Sequence, residues 1–198
     1  MRILSVSDQV EPMIYEPGGD KCFPGIDLIL SCGDLPAEYL TYLVTVFNVP
    51  LFYIRGNHDG IYDVKPPQGC VDLHGSIIVY NGVRIMGLEG SHWYNGGQHQ
   101  YTEKQMARVI LKTKFKIWWH KGIDIVVSHA PPRHVHDGKD ICHKGFKCFR
   151  GLIKRYSPHY FLHGHMHSSF KNQKERETLV NKTDVINTFG YHVFDYIK

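Results

Sequence analysis

The stretch "HGHMH", residues 163 to 167, sets three histidines within five positions directly after an apolar run. Neutral imidazole is the commonest protein ligand for metal ions, and the chain carries 14 histidines in 198 residues. Four other short apolar runs also end in groups that bind metals or move protons. "RILSVS" ends at Asp8 and "DLILSC" at Gly33-Asp34. "LFYI" runs into Arg55-Gly56-Asn57-His58-Asp59, and "IDIVVS" into His129. Carboxylates, a carboxamide and imidazoles together suit borderline divalent ions, whereas a sulfur-lined structural zinc site would need cysteines at these positions. Each signal alone has an ordinary explanation: a turn, a helix cap, or a strand leading into the rigid Pro131-Pro132 loop. Five of them, in order and each at the end of an apolar run, do not.

The elements that must position these groups follow from the same pattern. The runs at 2–7, 27–32, 51–54, 123–128 and 159–162 are continuously apolar, as in strands buried on both faces. Helical spacing predicts a helix over 37–47. Thr102 and Gln105 form a capping box ahead of a second helix, with Gly122 as its stop. A third helix is predicted over 145–156, closed by Ser157-Pro158. Asn81-Gly82 marks a hairpin, and the C-terminal segment is predicted to be a strand pair turning at Gly190. This order of elements indicates a layered α/β fold. In open α/β sheets ligands gather beyond the carboxyl ends of the strands. Asp8, Asp34, Asn57, His129, His165 and His167 are therefore expected to converge.

Composition sets the bounds. Hydrophobic residues make up 42% and charged residues 21%, ordinary for a globular chain of this length, and one domain over 1–198 is expected. No apolar run approaches 20 residues, so no spanning helix and no membrane partner are expected. Five unevenly spaced cysteines argue against a disulfide framework and for a reduced, cytoplasmic protein. A net charge of +4 suits an anionic substrate without establishing nucleic-acid binding. No aromatic-interleaved basic stripe stands out.

The series Asp8, Gly33-Asp34, Gly56-Asn57-His58-Asp59, His129 and Gly164-His165-Met166-His167 resembles the calcineurin-like metallophosphoesterase superfamily, over residues 4 to about 168. The segments "GSHWYNGGQHQYTEKQM" and "SHAPPRHVHDGKDICHKGF" are similar to a small prokaryotic single-domain branch of it. The resemblance implies an α/β/β/α sandwich of four layers, with two mixed sheets flanked by helices. It implies two divalent ions (Mn, Fe, Zn or Ni) sharing Asp34. Asp8, Asp34 and His167 would hold the first, and Asp34, Asn57, His129 and His165 the second. In an extended "HMH", alternation aims His165 and His167 the same way. Gly164 lets the backbone turn tightly into the site, and His163 is expected to support or pack. The implied reaction is hydrolysis of a phosphodiester or phosphomonoester by a metal-bound hydroxide. His58 would act as general acid or transition-state stabiliser, its ring oriented by Asp34, Glu38 or Asp59.

The first motif departs from the family pattern. Its usual Asp-x-His is Asp8-Gln9-Val10 here, and valine cannot ligate. Water fills the vacancy, or Gln9 or Glu11 does, or only the second ion binds tightly. Around the site, Arg133, His136 and His143 are either substrate contacts or part of a solvated basic loop. Trp93 and Tyr94 stack a base, wall the cleft, or belong to the core. The implied partner is a phosphate-ester small molecule or nucleotide. A nuclease and a catalytically weakened scaffold on the same fold are the alternatives.

Overall fold

The computed structural model describes residues 1–16, 18–167, 170 and 172–197. The strands begin with β1 (Arg2–Ser7), β2 (Leu28–Ser31), β3 (Leu51–Tyr53) and β4 (Val71–Asp72). They continue with β5 (Ile77–Tyr80), β6 (Val83–Leu88), β7 (Ser91–His92), β8 (Gln100–Tyr101) and β9 (Ile125–Ser128). The last are β10 (Tyr160–His163), β11 (Glu177–Val180), β12 (Thr183–Asn187) and β13 (Gly190–Asp195). The helices are α1 (Pro12–Tyr15), α2 (Ala37–Phe47), α3 (Glu103–Trp119) and α4 (Lys147–Tyr156). One sheet has the order β13-β1-β2-β3-β4 and the other β11-β12-β10-β9-β6-β5, each mixing parallel and antiparallel pairs.

Period-2 alternation within the continuously apolar strands builds three cores. Ile3, Leu28, Leu30, Phe52, Ile125, Val127 and Leu162 fill the space between the sheets. Leu4, Val6, Ile29 and Leu51 face the opposite way and pack with Leu40 and Leu43 of α2. Val126, Phe161 and Val185 do the same against Met106, Ile110, Phe149 and Ile153 of α3 and α4. The result is the expected four-layer sandwich.

Local chemistry sets the helix bounds. The Thr102–Gln105 capping box is formed. The Glu103 carboxylate then reaches across to accept the first backbone N–H groups of α4, from Lys147 (3.0 Å) and Cys148 (2.7 Å). Asn48 and Ser157 close α2 and α4 in the left-handed conformation. One expectation is corrected at the C-terminal end. β12 and β13 do not pair; they lie in different sheets. β12 instead pairs antiparallel with β11, and β13 pairs with β1. A tight hairpin would have kept both strands in one sheet, but the chain crosses between layers at 188–189. Thr188 Oγ1 bridges there, bonded to Ser7 Oγ (3.0 Å) of one sheet and the His163 carbonyl (3.1 Å) of the other.

Candidate metal centre

β1, β2, β9 and β10 run parallel or are brought alongside one another, so their carboxyl ends share one edge of the sandwich. Three residues on that edge take left-handed backbone: Asp8 (φ 64°), Asp34 (φ 56°) and His165 (φ 65°). Such strain costs on the order of 1–2 kcal/mol each and persists where surrounding contacts impose it. The contacts are visible. The Asp8 side chain is fully buried and accepts the His165 backbone N–H with both oxygens, at 3.1 and 3.0 Å. Gly33 and Gly56 pack backbone against backbone: a Cβ on Gly33 would fall 2.4 Å from Gly56 N. The Asp59 carboxylate ties this junction together, accepting from Asp34 N and Gly56 N at 2.7 Å each. Burial, followed by the Asp34 charge, pushes Asp59 up to about 6.

His129 is wholly buried. Its Nδ1 faces the Cys32 carbonyl at 2.8 Å, an oxygen that can only accept, so Nδ1 carries the proton. Nε2 is then a bare lone pair, yet it lies 3.2 Å from Asp34 Oδ2 and 3.1 Å from Asn57 Oδ1. Three acceptors therefore meet with no donor among them. Either a second proton on the ring or a cation must sit in their midst. Without a metal the proton is favoured: burial works to lower the His129 pKa, but the Asp34 carboxylate wins and raises it to about 9. Burial likewise works to raise Asp34, and His129 with the His58 N–H outweighs it, holding the carboxyl well below its usual range. The donor set thus fits a divalent ion in place of that proton.

His165 completes the group. Its Nε2 donates to the Cys142 carbonyl (2.8 Å), leaving Nδ1 unprotonated. Asp34, His129 and His165 offer ligand atoms all within 4.8 Å of one another. Burial drives His165 down to about 4, so its ring is neutral. The second expected ligand set is therefore gathered in space. The first is less complete. His167 Nε2 lies 3.4 Å from Asp8 Oδ1, on a ring 62% exposed and packed on Phe189. Among the described residues, no cluster of three His, Cys, Asp or Glu ligand atoms includes Asp8.

The alternation expected for "HMH" does not hold. β10 ends at His163, and His165 turns left-handed and inward while His167 stays on the surface. The Asp8 carboxylate takes the His165 N–H, and Gly164 leaves it room, since a Cβ there would come 2.5 Å from Asp8 Oδ2. His163 is buried; its Nδ1 donates to the Gly164 carbonyl (2.9 Å) and its Nε2 receives His136 Nδ1 (2.9 Å). At the altered first motif, Val10 is partly buried and packs against the core that α1 and α2 share. Gln9 is exposed. Glu11 lies against Gly190, whose Cβ would meet its Oε1 at 2.4 Å, and it feels the Arg176 charge. Glu11 joins no described ligand cluster.

His58 stands at the mouth, its side chain 74% exposed. Its backbone N–H donates to Asp34 Oδ1 (2.9 Å) and its Nε2 lies 4.0 Å from Asp34 Oδ2. Glu38, a suggested orienting group, instead pairs with Lys65 at 2.6 Å. Tyr94 OH accepts from Asn57 Nδ2 (3.4 Å) and walls the cleft, while Trp93 is exposed rather than in the core. His143 is held by Asp140 (2.9 Å) with its ring 5.2 Å from His165. Arg133 is engaged by Asp137, and His136 by His163 and Thr178, which turns both away from the cleft. Sequence reasoning passed over Arg55 and Cys142. Arg55 immediately precedes the Asn57-His58 turn and anchors it to Asp72 (3.2 Å) and Glu89 (3.5 Å). Cys142, with His143, forms a second donor group around His165.

Among curated proteins none matches the sequence significantly. The structure resembles TT1561 of Thermus thermophilus, with a TM-score of 0.67 and 18% identity over 96% of this chain and 89% of that one. It also resembles the calcineurin-like phosphoesterase YfkN from Bacillus subtilis (TM-score 0.58, 13% identity, 98% and 83% covered). A third similar structure is GAP50, described as the anchor in the inner membrane complex of Plasmodium (TM-score 0.52, 13% identity, 94% and 70% covered). A family model described as calcineurin-like phosphoesterase matches residues 11–169, about four-fifths of the sequence, so the chain belongs to that family.

Proposed function

We propose that this chain is a metal-dependent hydrolase of phosphate esters, acting on phosphodiesters or small phosphomonoesters. The observation that carries the reading is the close meeting of Asp34 Oδ2, Asn57 Oδ1 and His129 Nε2, where a cation can replace the second imidazole proton, with His165 beside them. Divalent ions bound there would neutralise the ester oxygens and acidify a water molecule. Asp34, Asn57, His129 and His165 would hold the tighter ion; Asp8, Asp34 and His167 a weaker one, because Val10 supplies no ligand. Asp59 and the Cys32 carbonyl fix Asp34 and His129 in the orientation that ligation needs. His58, exposed beside Asp34, donates a proton to the departing ester oxygen. Tyr94 and His143 line the approach, and the cleft is open enough for a diester without a lid.

Metal analysis with an assay on bis-p-nitrophenyl phosphate and p-nitrophenyl phosphate, in Mn, Fe, Zn or Mg, tests the reading. His58→Ala is expected to keep its metal and lose at least about a hundredfold in turnover. Near-normal turnover in that variant removes His58 from the mechanism. Val10, which packs against the core and offers no ligand, favours one alternative: a scaffold that keeps a single ion. Folded protein that binds metal and hydrolyses neither ester would establish that alternative.

A further inference from the structure

Helix α3 has two apolar faces. Met106, Ile110, Thr113 and Ile117 recur at helical spacing and are buried on the sheet. With 3.6 residues per turn, the opposite side collects Leu111, Phe115, Trp118 and Trp119. These four are between 56% and 71% exposed. The Phe115 ring lies 5.8 Å from Trp118 and 6.4 Å from Trp119, so they form one continuous patch. A helix packed on a sheet normally turns polar residues outward, and a contiguous exposed apolar patch marks an interaction surface.

The charge around the patch is one-sided. Lys104, Arg108, Lys112, Lys114, Lys116 and Lys121 lie on or just beyond α3, and Lys147, Arg150, Lys154 and Arg155 on the adjoining α4; all are exposed. The one carboxylate on either helix, Glu103, is spent on the N-terminus of α4. The whole chain is only +4, so this layer is strongly cationic and the remainder net acidic. The run "KTKFKIWWHK" (112–121) therefore does interleave cations with aromatics, contrary to the sequence expectation; the helical wrap places them together.

We propose that the outer face of α3, with α4 beside it, docks on an anionic lipid surface. Lysine and arginine would meet the headgroups while Leu111, Phe115, Trp118 and Trp119 enter the boundary with the acyl chains. This is peripheral attachment; among the described residues no helix is long and apolar enough to cross a membrane. A second copy of the chain would bring like charges together on this face. Single-stranded nucleic acid uses rings set along a groove, whereas these rings stand on an outer helix, tilted 37° and 31° against one another, beside a leucine that cannot stack. α3 ends at the edge where β9 begins, and the candidate metal centre lies where β9 ends. Docking thus leaves the centre open.

The test is co-sedimentation of the full chain with vesicles of phosphatidylcholine, alone or with about one-third phosphatidylserine. Expected is salt-sensitive binding to the anionic vesicles, at least about tenfold tighter than to the neutral ones, with a blue shift of tryptophan emission. Phe115→Ser/Trp118→Ser/Trp119→Ser and, separately, Lys112→Glu/Lys114→Glu should each lose at least about tenfold in binding. Both leave hydrolysis of a soluble ester, if present in the parent, unchanged. These side chains are exposed, so the fold is retained, and Trp93 remains as a fluorescent reporter in the triple variant. The proposal is overturned by equal or absent partitioning to both vesicles, or by binding that survives the triple variant. It is also overturned by self-association that the triple variant abolishes, or by tighter retention on single-stranded oligonucleotide or acidic peptide than on anionic vesicles.

Discussion

Gly56→Ala is a one-atom perturbation aimed at the shared carboxylate. A Cβ there would sit 1.9 Å from Asp34 Oδ1, 2.5 Å from its Cγ and 2.8 Å from its backbone nitrogen. Gly56 has no positive φ, so alanine brings no backbone penalty and the effect is purely steric. Relief on the opposite side is blocked by the close Gly33 backbone. The carboxylate must therefore retreat by about 1.5 Å to reach ordinary contact. That movement breaks its 2.9 Å bond from His58 N and carries Oδ2 away from His129 Nε2. Overpacking costs about 1–3 kcal/mol, and a lost hydrogen bond to a charged group about 1.5–3 kcal/mol. We expect a loss of roughly 2–5 kcal/mol in urea unfolding, and a weakening of Mn binding by more than about tenfold in calorimetric titration. A Gly56→Ala protein with parental metal affinity would refute the claim that Asp34 is the shared ligand held in place by this contact.

Other outcomes are expected from the same coordinates. At Gly151, inside α4, a Cβ meets nothing within 4 Å; Gly151→Ala should stabilise by about 0.5–1 kcal/mol, read as a higher urea midpoint. Glu103→Ala removes the acceptor for two N–H groups at the start of α4 and should cost about 1 kcal/mol by the same measurement. The metal-free protein should weaken in acid. Burial lowers His163, and lowers His165 and His192 to about 4. A histidine whose folded pKa lies below its unfolded value of about 6.5 stabilises fully above that value, and the contribution is lost as pH falls from 6.5 toward 4. Asp59, raised to about 6, and Glu11, also raised by burial, oppose this within the same window, while His74 and His136, lowered by burial, add to it, so the histidines outnumber the carboxyls. Urea midpoints should drop between pH 6.5 and 4, and His192→Phe should flatten the drop; a midpoint constant over that range contradicts the burial argument.

The strands and their ends could be read from the chain because each apolar run is continuous and stops at a polar group. Residues such as Asp8, Asp34 and His129 advertise their place by that punctuation. What could not be read depends on contacts distant in sequence. His165 leaves the extended path because the Asp8 carboxylate, 157 residues earlier, takes its N–H. Val10 packs partly buried against the core, and Glu11 lies against Gly190 rather than among the ligands. The outward aromatic face of α3 was hidden by its inward one, since a helix apolar on two sides shows no single periodic stripe.

The pairing of β1 with β13 has a consequence for synthesis. β1 leads into Asp8, and its outer edge is closed only when β13 hydrogen-bonds along it from Arg2↔Asp195 to Ser7↔Gly190. At about 5–20 residues per second, roughly ten to forty seconds separate the two strands on the ribosome. During that interval β1 is an apolar strand with one open edge, a template for pairing with a neighbouring nascent chain. Crowded polysomes and slow translation of the segment between these two strands should therefore favour aggregation. Chaperone demand for this chain should fall once β13 docks on β1.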